Sequence, residues 1–589
     1  MNSLLAELSA SVSAAFADEG LAPELGTVQP SERAFAAVAQ FQCNGALAAA
    51  KKAKANPRDL AEKIAKRLRL MPLFSEVSIA GPGFINLKIK DAVVESKLRA
   101  LAADPASARP CNGDGKRVLV DFGGPNVAKP MHVGHLRSAI IGDCLQRLFR
   151  ALGWKTISDV HLGDWGLQMG QLISELALRQ PDLPYFSEAD LSPYPEASPV
   201  TMEDLEEIYP TAAAACKADP ARLDAARLAT AELQSGRPGY RALWQHFFDV
   251  SQTGLRREFA SLGVGFDLWK GESDAAPLIP EMVEQLKEAD LAVLSDGALV
   301  VHVACESDSK KVPPLLLLKS DGAVLYGTTD LATIVDRERA LNPDLVLYVV
   351  DQRQHAHFEQ VFRAAKKAGL AGDAVLEHIG YGTVNGKDGK PFKTRAGGVM
   401  KLQELIAMAT EEAEKRLNEQ GLAADYPSEE RADIAKAVGI AAIKFADLSN
   451  NRVSGYVFDL ERFTRFEGKT GPYLQYAAVR VKSILRRASE EQYQIGAPVI
   501  RSEEERRLAL RLLSLPEALL AAEDKRAPNY LCDYVFTLAQ DFSRFYTEHH
   551  IISETDVELR SARLGLCGST LAVIEQVLGI LGITVPDRM

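Results

Sequence analysis

The sequence predicts a multidomain chain: a doubly wound, parallel-sheet α/β core between an α+β N-terminal domain and an α-helical C-terminal domain. Three observations predict it. Apolar strand candidates at 117–122, 155–161, 298–304, 314–318, 345–350 and 376–381 alternate with amphipathic helical stretches. That pattern implies a parallel sheet with ligands at the carboxyl ends of its strands. The stretch AADPASARPCNGDGK at 102–116 reads as a linker ahead of that core, and from about residue 405 onward the patterns are helical almost throughout. A chain of 589 residues has room for three such domains, expected at 1–108, 116–405 and 406–589.

Taken in order, the chain opens with a helix, because Leu4, Leu5, Leu8, Val12 and Phe16 recur at helical spacing. With Glu7 and no basic leader, it reads as a core-facing helix and not as a signal peptide. A β-hairpin closed by Gly81-Pro82-Gly83 follows. After the linker, the apolar run Val118-Leu119-Val120 leads to HVGH at 132–135, which opens the helix-patterned stretch Leu136 to Phe149. Residues of about 170–265 interrupt the alternation with mostly helical sequence, read as an insertion. Between the last strand and the C-terminal helices lies Asn385 to Gly398, with four glycines and the cations Lys387, Lys390, Lys393 and Arg395 against Asp388. A pliant backbone with clustered positive charge suits closure over a triphosphate, although an exposed hairpin tip reads the same way in isolation.

The seven cysteines form no CxxC pair and no Cys/His cluster with zinc spacing. A disulfide framework and a structural zinc or other metal site are therefore not expected, and a reducing cytoplasm is the natural compartment. No apolar run approaches the roughly 20 residues that cross a bilayer, so no membrane association is expected. The formal charge of −11 bears on solubility, whereas nucleic-acid binding depends on where the basic residues lie. Residues 51–69 carry eight Lys or Arg against two acids, and Arg462, Arg465, Lys469, Arg480, Lys482, Arg486 and Arg487 cluster further on. Either group also fits a solvated helix face.

A helix that begins at HVGH offers free N–H groups and a positive dipole end to phosphate. Gly134 lets a flat ring approach the backbone, while His132 and His135 can donate hydrogen bonds to charge developing during phosphoryl transfer. Two structural histidines at a helix start would satisfy the bare tetrapeptide equally well. The surrounding residues go further: PNVAKPMHVGHLRSAIIGD (125–143) resembles the signature-bearing segment of the arginyl-tRNA synthetases, class I enzymes whose tetrapeptide is called HIGH. The resemblance continues in HLGDWGLQ (161–168), GES (271–273), YGTTDLA (326–332), QHAHF (354–358), GKDGKPFKTRAGG (386–398) and YLQYAAVR (473–480). These segments keep the family's order over nearly the whole chain.

The resemblance implies a Rossmann-like catalytic core and a two-step reaction. The carboxylate of L-arginine attacks the α-phosphorus of ATP, releasing pyrophosphate, and the arginyl group then passes to the terminal adenosine of tRNA(Arg). It implies that His132, Gly134, His135, Lys129, Lys393 and Arg395 bind ATP, with His132, His135, Lys129 and Lys393 catalytic. Phe392-Lys393-Thr394-Arg395 stands where the family has KMSK and departs from it, and Lys129 is the lysine thought to compensate. Mg2+ should accompany ATP, held largely by phosphate oxygens. Asn126, Glu272, Tyr326, Asp330 and Gln354 fall at arginine-binding positions, carboxylates and planar acceptors being what a guanidinium requires. Tyr326 and Asp330, four residues apart, would share a helix face, although Asp330 also fits a helix cap. The family often has serines at Gly123-Gly124, so no hydroxyl role passes to those positions.

For tRNA, the resemblance makes the C-terminal domain an anticodon-binding one and the N-terminal domain a holder of the tRNA elbow. Tyr473, Tyr476 and Arg480 lie at i, i+3 and i+7 on one helix face, the arrangement for stacking splayed bases, though a tyrosine pair at this spacing also suits a core. Phe84 and Asn86 are candidate elbow contacts, and Met589 is expected near the anticodon. DNA is not an expected partner, and a monomer is expected. Three alternatives stay open. Cysteine-specific class I enzymes need zinc ligands this sequence does not space, and small HxGH nucleotidyltransferases need no RNA-facing domains. An inactive RNA-binding descendant would not need His132, His135, Lys129 and the 386–398 loop intact.

Overall fold

The structure is a computed structural model that describes residues 3–31, 39–320, 322–386, 389, 392 and 400–589. The chain divides into two units, one of Met1–Asn112, Leu417–Ala437 and Arg465–Met589, the other of Gly113–Arg416 and Val438–Thr464. Residues 438–464 thus pack with the sheet-bearing part, past the boundary expected at about 405.

In the first unit the opening helix, Leu4–Asp18, buries Leu4, Leu8, Val12 and Phe16 and is capped by the Ser3 side chain, which accepts from the Ala6 N–H. Strands β1 (Val28–Pro30), β2 (Phe41–Cys43), β3 (Phe74–Ala80) and β4 (Phe84–Ile89) form an antiparallel sheet of order β1-β2-β4-β3. The β3–β4 hairpin turns at Gly81-Pro82-Gly83, where φ is +52° at Gly81 and +148° at Gly83, conformations that glycine takes without a Cβ clash. Helices Gly45–Ala53, Pro57–Leu68 and Asp91–Ala103 accompany this sheet, and toward the C-terminus the unit is mainly helical, with Gly471–Glu490, Glu503–Leu513, Leu515–Lys525, Asn529–Glu548 and Val557–Ile580.

Val557–Ile580 departs from the sequence expectation, since by length and composition it would suit a membrane crossing. Its most apolar window is 67 % buried inside the protein. Arg563 within it pairs with Glu505 at 2.9 Å and Glu554 at 2.7 Å, so here it serves as the core helix of its bundle.

In the second unit β5 (Arg117–Phe122), β6 (Lys155–Asp159), β10 (Leu345–Val349) and β11 (Val375–His378) make a parallel sheet of order β11-β10-β5-β6. The chain leaves β5 toward β6 on one side and β10 toward β11 on the other. The switch point therefore lies between β5 and β10, where such sheets open a ligand crevice. Helix Val133–Ala151 packs so closely on the sheet that a Cβ at Gly142 would lie 2.1 Å from Phe122 Cγ. Leu119, Val346 and Tyr348 join Leu331, Ile334, Phe358 and Val361 in the core beneath helices Tyr326–Leu341 and His355–Lys367.

Two expected strands of the parallel sheet are not in it. Residues within 298–304 and 314–318 form β8 (Ala298–Val301) and β9 (Leu315–Leu318), which join β7 (Ala292–Ser295) in a separate antiparallel sheet of order β7-β8-β9. The reason is the turn: Asp296 and Gly297 both have positive φ, +50° and +81°, the two-residue geometry that folds a strand back as a hairpin. Nor does a helix separate β8 from β9, so no parallel crossover is available. The insertion is helical as expected, with Met202–Ala218, Pro220–Gln234 and Pro238–Ser261. A short parallel pair, β12 (Val384–Asn385) with β13 (Tyr456–Val457), completes the unit.

Candidate active site

β5 ends at Phe122 and the chain reaches the helix Val133–Ala151 through residues 123–132, whose path is fixed by buried hydrogen bonds. Ser138 accepts from the Gly123 N–H at 2.8 Å and donates to Val349 O at 2.7 Å, joining the carboxyl ends of β5 and β10. Gly123 (φ +92°) has no room for a side chain, since a Cβ there would lie 2.9 Å from Phe259 Cζ.

His132 caps the helix, its Nδ1 accepting from the Gly134 N–H at 3.0 Å, and His135 Nδ1 accepts from the His132 N–H at 3.2 Å. The rings stack at 4.0 Å between centroids, and a Cβ on Gly134 would sit 2.6 Å from His132 Cε1. Burial and Lys129 hold the His132 pKa below its ordinary value, and burial, His132 and Lys129 bring that of His135 down to about 3. Both rings are therefore neutral at pH 7. With each Nδ1 accepting a backbone hydrogen, the single ring proton of each belongs on Nε2, which makes both rings hydrogen-bond donors through Nε2.

Lys387, Lys390, Lys393 and Arg395 lie outside the described residues, but Phe392 and the residues from Met400 onward are described. Within the loop, Phe392 donates its N–H to Val384 O at 3.1 Å and rests its ring 5.6 Å from that of Phe458. Past the loop, His132 bridges Lys401 in antiparallel fashion, with Val133 N–H on Met400 O at 3.1 Å and Leu402 N–H on Met131 O at 3.0 Å. Met400–Leu402 and the start of the HVGH helix are thus neighbouring backbone segments.

A cavity of about 400 Å³ opens beside β6 and the helix Tyr326–Leu341, lined by Trp165, Arg241, Glu272, Ser273 and Tyr326 among others. Glu272, first residue of the short helix Glu272–Ala275, has its pKa raised to about 7 by burial and by Asp164 and Asp330. Asp164 accepts from the Ser273 N–H at 3.0 Å and from its hydroxyl, and burial lifts its pKa to about 6. Tyr326 and Asp330 do share a face: the Tyr326 ring lies 4.6 Å from that of His357, and Asp330 Oδ2 lies 2.6 Å from His357 Nε2. Asp330 is inside its helix, so the capping alternative falls away. Asn126, Asp330 and Gln354 do not line this cavity. Asn126 forms a parallel bridge with Gly163, and Gln354 is exposed just before helix His355–Lys367.

HLGDWGLQ holds two residues, His161 and Asp164, whose surroundings only the fold reveals. His161 takes a left-handed φ of +39° and puts Nδ1 3.8 Å from Asp159 and Nε2 3.4 Å from Thr333 Oγ1. Burial opposes its charge, yet the carboxylates of Asp159 and Asp121 keep its pKa above the ordinary value. Beneath it Arg337, 3 % exposed, donates to Asp121 at 2.6 Å and Asp159 at 2.9 Å. The signal available was an aspartate near the carboxyl end of each of strands β5 and β6, Asp121 in RVLVDF and Asp159 in KTISD. Among the described residues no group of three or more His, Cys, Asp or Glu side chains is gathered to hold a metal ion.

In the other unit, helix Gly471–Glu490 buries Leu474, Gln475, Ala477, Ala478 and Val481 and leaves Tyr473, Tyr476 and Arg480 half-buried on another face. Arg480 donates to Tyr476 Oη at 3.2 Å, and the rings of Phe466 and Phe536 lie 6.2 Å and 5.7 Å from Tyr476 and Tyr473. Met589 O accepts from Tyr426 Oη at 3.4 Å, while Arg588 holds Glu430 with two bonds of 2.7 Å. Phe84 is half-buried; Asn86, only 6 % exposed, accepts from Gln42 at 2.9 Å and faces inward.

Three family models match the chain: the catalytic domain of tRNA synthetases class I (R) over 98–460, the DALR anticodon binding domain over 474–589, and the arginyl tRNA synthetase N terminal domain over 2–89. The arginine–tRNA ligase of Maricaulis maris is 55 % identical and that of Hyphomonas neptunium 53 %, each aligned over 100 % of both chains. Among solved structures, arginyl-tRNA synthetase from Plasmodium falciparum matches over 100 % of both chains with a TM-score of 0.83 at 25 % identity. The Thermus thermophilus arginyl-tRNA synthetase matches over the same share with a TM-score of 0.79 at 24 % identity, a likeness of fold.

Proposed function

The chain belongs to the class I arginyl-tRNA synthetases, and from that membership we propose how its residues divide the reaction. The protein ligates L-arginine to tRNA(Arg) in two steps: ATP-dependent formation of arginyl-adenylate with release of pyrophosphate, then transfer to the terminal adenosine of the tRNA. In the first step the arginine carboxylate oxygen bonds to the α-phosphorus and the bond to the bridging oxygen of pyrophosphate breaks. The protein's task is positioning and stabilisation of charge.

His132 and His135 donate from Nε2 to phosphate oxygens, Gly134 admits the nucleotide to the backbone, and Lys129 with Lys393 and Arg395 supplies positive charge along the triphosphate. What supports this division is the backbone pairing of Met131–Val133 with Met400–Leu402, which sets the histidines beside the segment that follows the cationic loop in the chain. Mg2+ comes with ATP, bound mainly by phosphate oxygens, and adds charge neutralisation there. Glu272, Tyr326 and Asp330, with Asn126 and Gln354, receive arginine. Tyr473, Tyr476, Arg480 and Met589 meet the anticodon end, and Phe84 and Asn86 belong to the elbow-holding domain. In this reading the chain works as a cytoplasmic monomer of three domains, 1–108, 116–405 and 406–589, bound to neither DNA nor membrane.

The test is pyrophosphate exchange with the full chain. Labelled pyrophosphate should enter ATP when arginine and tRNA(Arg) are both present, and equal exchange driven by lysine would overturn the assignment of the arginine pocket.

A further inference from the structure

The helical insertion touches the segment ahead of HVGH at three points. Ala128, in a left-handed conformation at φ +63°, donates its N–H to Ser251 Oγ at 2.9 Å, and Met131 donates its N–H to Glu258 Oε2 at 2.9 Å. Both acceptors are on the insertion helix Pro238–Ser261. The third contact is of another kind. Lys129 Nζ lies 4.4 Å from the centre of the Tyr209 ring, which projects from the insertion helix Met202–Ala218.

One turn earlier on that helix, Glu206 takes the Lys401 ammonium at 2.7 Å. The insertion thus has a carboxylate at hand for one lysine and presents a ring to the other. The difference matters chemically. A carboxylate fixes an ammonium by cancelling its charge, whereas an aromatic face attracts it through the ring quadrupole and leaves the full charge for a phosphate. Lys129 is close enough to His132 and His135 to act on both rings electrostatically.

We propose that Tyr209 is a positioning residue for adenylate formation: its ring holds the Lys129 ammonium beside His132 and His135 without neutralising it. This rests on the reading that Lys129 serves the triphosphate. The insertion thereby takes a direct part in ATP activation through a side chain that no motif marks.

The experiment is ATP–pyrophosphate exchange by the full chain with arginine and tRNA(Arg), reading kcat and KM for ATP. Tyr209→Leu should lower kcat/KM for ATP by roughly 3- to 30-fold, the worth of one such contact, with KM for arginine unchanged. Tyr209→Phe, which keeps the ring, should restore activity to within about twofold of the parent. In a Lys129→Met background, Tyr209→Leu should add less than about a twofold further loss. Full additivity there, parental kinetics in Tyr209→Leu, or Tyr209→Phe as impaired as Tyr209→Leu would each overturn the proposal. Parental activity of Lys129→Met alone would instead overturn the reading of Lys129 on which it rests. Should Tyr209→Leu not fold, Tyr209→Gln carries the same test.

Discussion

Arginine binding should be coupled to loss of a proton from Glu272. Burial, with Asp164 and Asp330 nearby, raises its pKa from 4.5 to about 7, yet a guanidinium requires the carboxylate form. Between pH 6 and 8 the guanidinium keeps its charge, so the pH dependence belongs to the protein. With a pKa of about 7, roughly a tenth of Glu272 is ionised at pH 6 and nine tenths at pH 8, so arginine should bind about tenfold more weakly at pH 6. The sign for stability runs the opposite way. The folded state holds the proton more tightly than the unfolded chain, so this group's contribution to stability is full below about pH 4.5 and is lost as pH rises toward 7. Arginine offsets that loss, and its thermal stabilisation of the protein should be larger at pH 8 than at pH 6. Calorimetric titration in buffers of different ionisation enthalpy measures the released proton, about 0.9 per arginine at pH 6 and about 0.1 at pH 8. An affinity flat from pH 6 to 8, with a binding enthalpy indifferent to buffer, would refute the reasoning.

Other perturbations have equally definite outcomes. His135→Ala removes a donor and should cut adenylate formation by roughly 100-fold or more while tRNA binding by filter assay is unchanged; unaltered activation kinetics would remove His135 from the site. Arg137, whose side chain is 2 % exposed, pairs with fully buried Asp447 at 3.1 Å. Arg137→Met should therefore cost about 3–5 kcal/mol of stability, most of it regained in Arg137→Met/Asp447→Leu as read by thermal unfolding. Tyr476→Ala should weaken tRNA(Arg) binding by roughly 5- to 150-fold, one lost base stack, with arginine affinity unchanged; a parental tRNA Kd would show the ring to be packing only.

The elements most legible in the sequence were those with local causes. The β3–β4 turn needs positive φ at Gly81 and Gly83, and the sequence puts glycine there. β10 along its length and β5 over Val118–Val120 are apolar because both faces are covered, and the sequence shows that directly. The failure at 298–318 came from weighing apolar runs above turn chemistry: Asp296-Gly297 is a hairpin signal, and strands on either side of it pair antiparallel whatever their hydrophobicity. At the site, HVGH was legible because His132 and His135 meet three residues apart, and YGTTD because Tyr326 and Asp330 fall on one helix face, although their common neighbour His357 lies far along the chain. Ser251, Glu258 and Tyr209 were not, because what they do depends on contacts with residues 80 to 127 positions distant, which no periodicity records. His161 was hidden for another reason: its ring answers to Asp121 and Thr333, 40 and 172 positions away along the chain.

These carboxylates also bear on how the pocket tells arginine from neutral analogues. Arg337 serves Asp121 and Asp159, while Asp164 is held by the neutral donors of Ser273, and Glu272 sits next to it half-protonated near pH 7. A cation favours the ionised form of Glu272. Citrulline offers a carbonyl acceptor in place of a charged donor, and so favours the protonated acid as hydrogen-bond donor. Its affinity should fall about tenfold from pH 6 to pH 8 while that of arginine rises by a similar factor, so the ratio between them should widen by roughly 100-fold across those two units. Competitive displacement of labelled arginine by citrulline at each pH measures this ratio. A discrimination constant across the range would mean that the choice is made by shape alone, and that Glu272 does not titrate in the empty pocket.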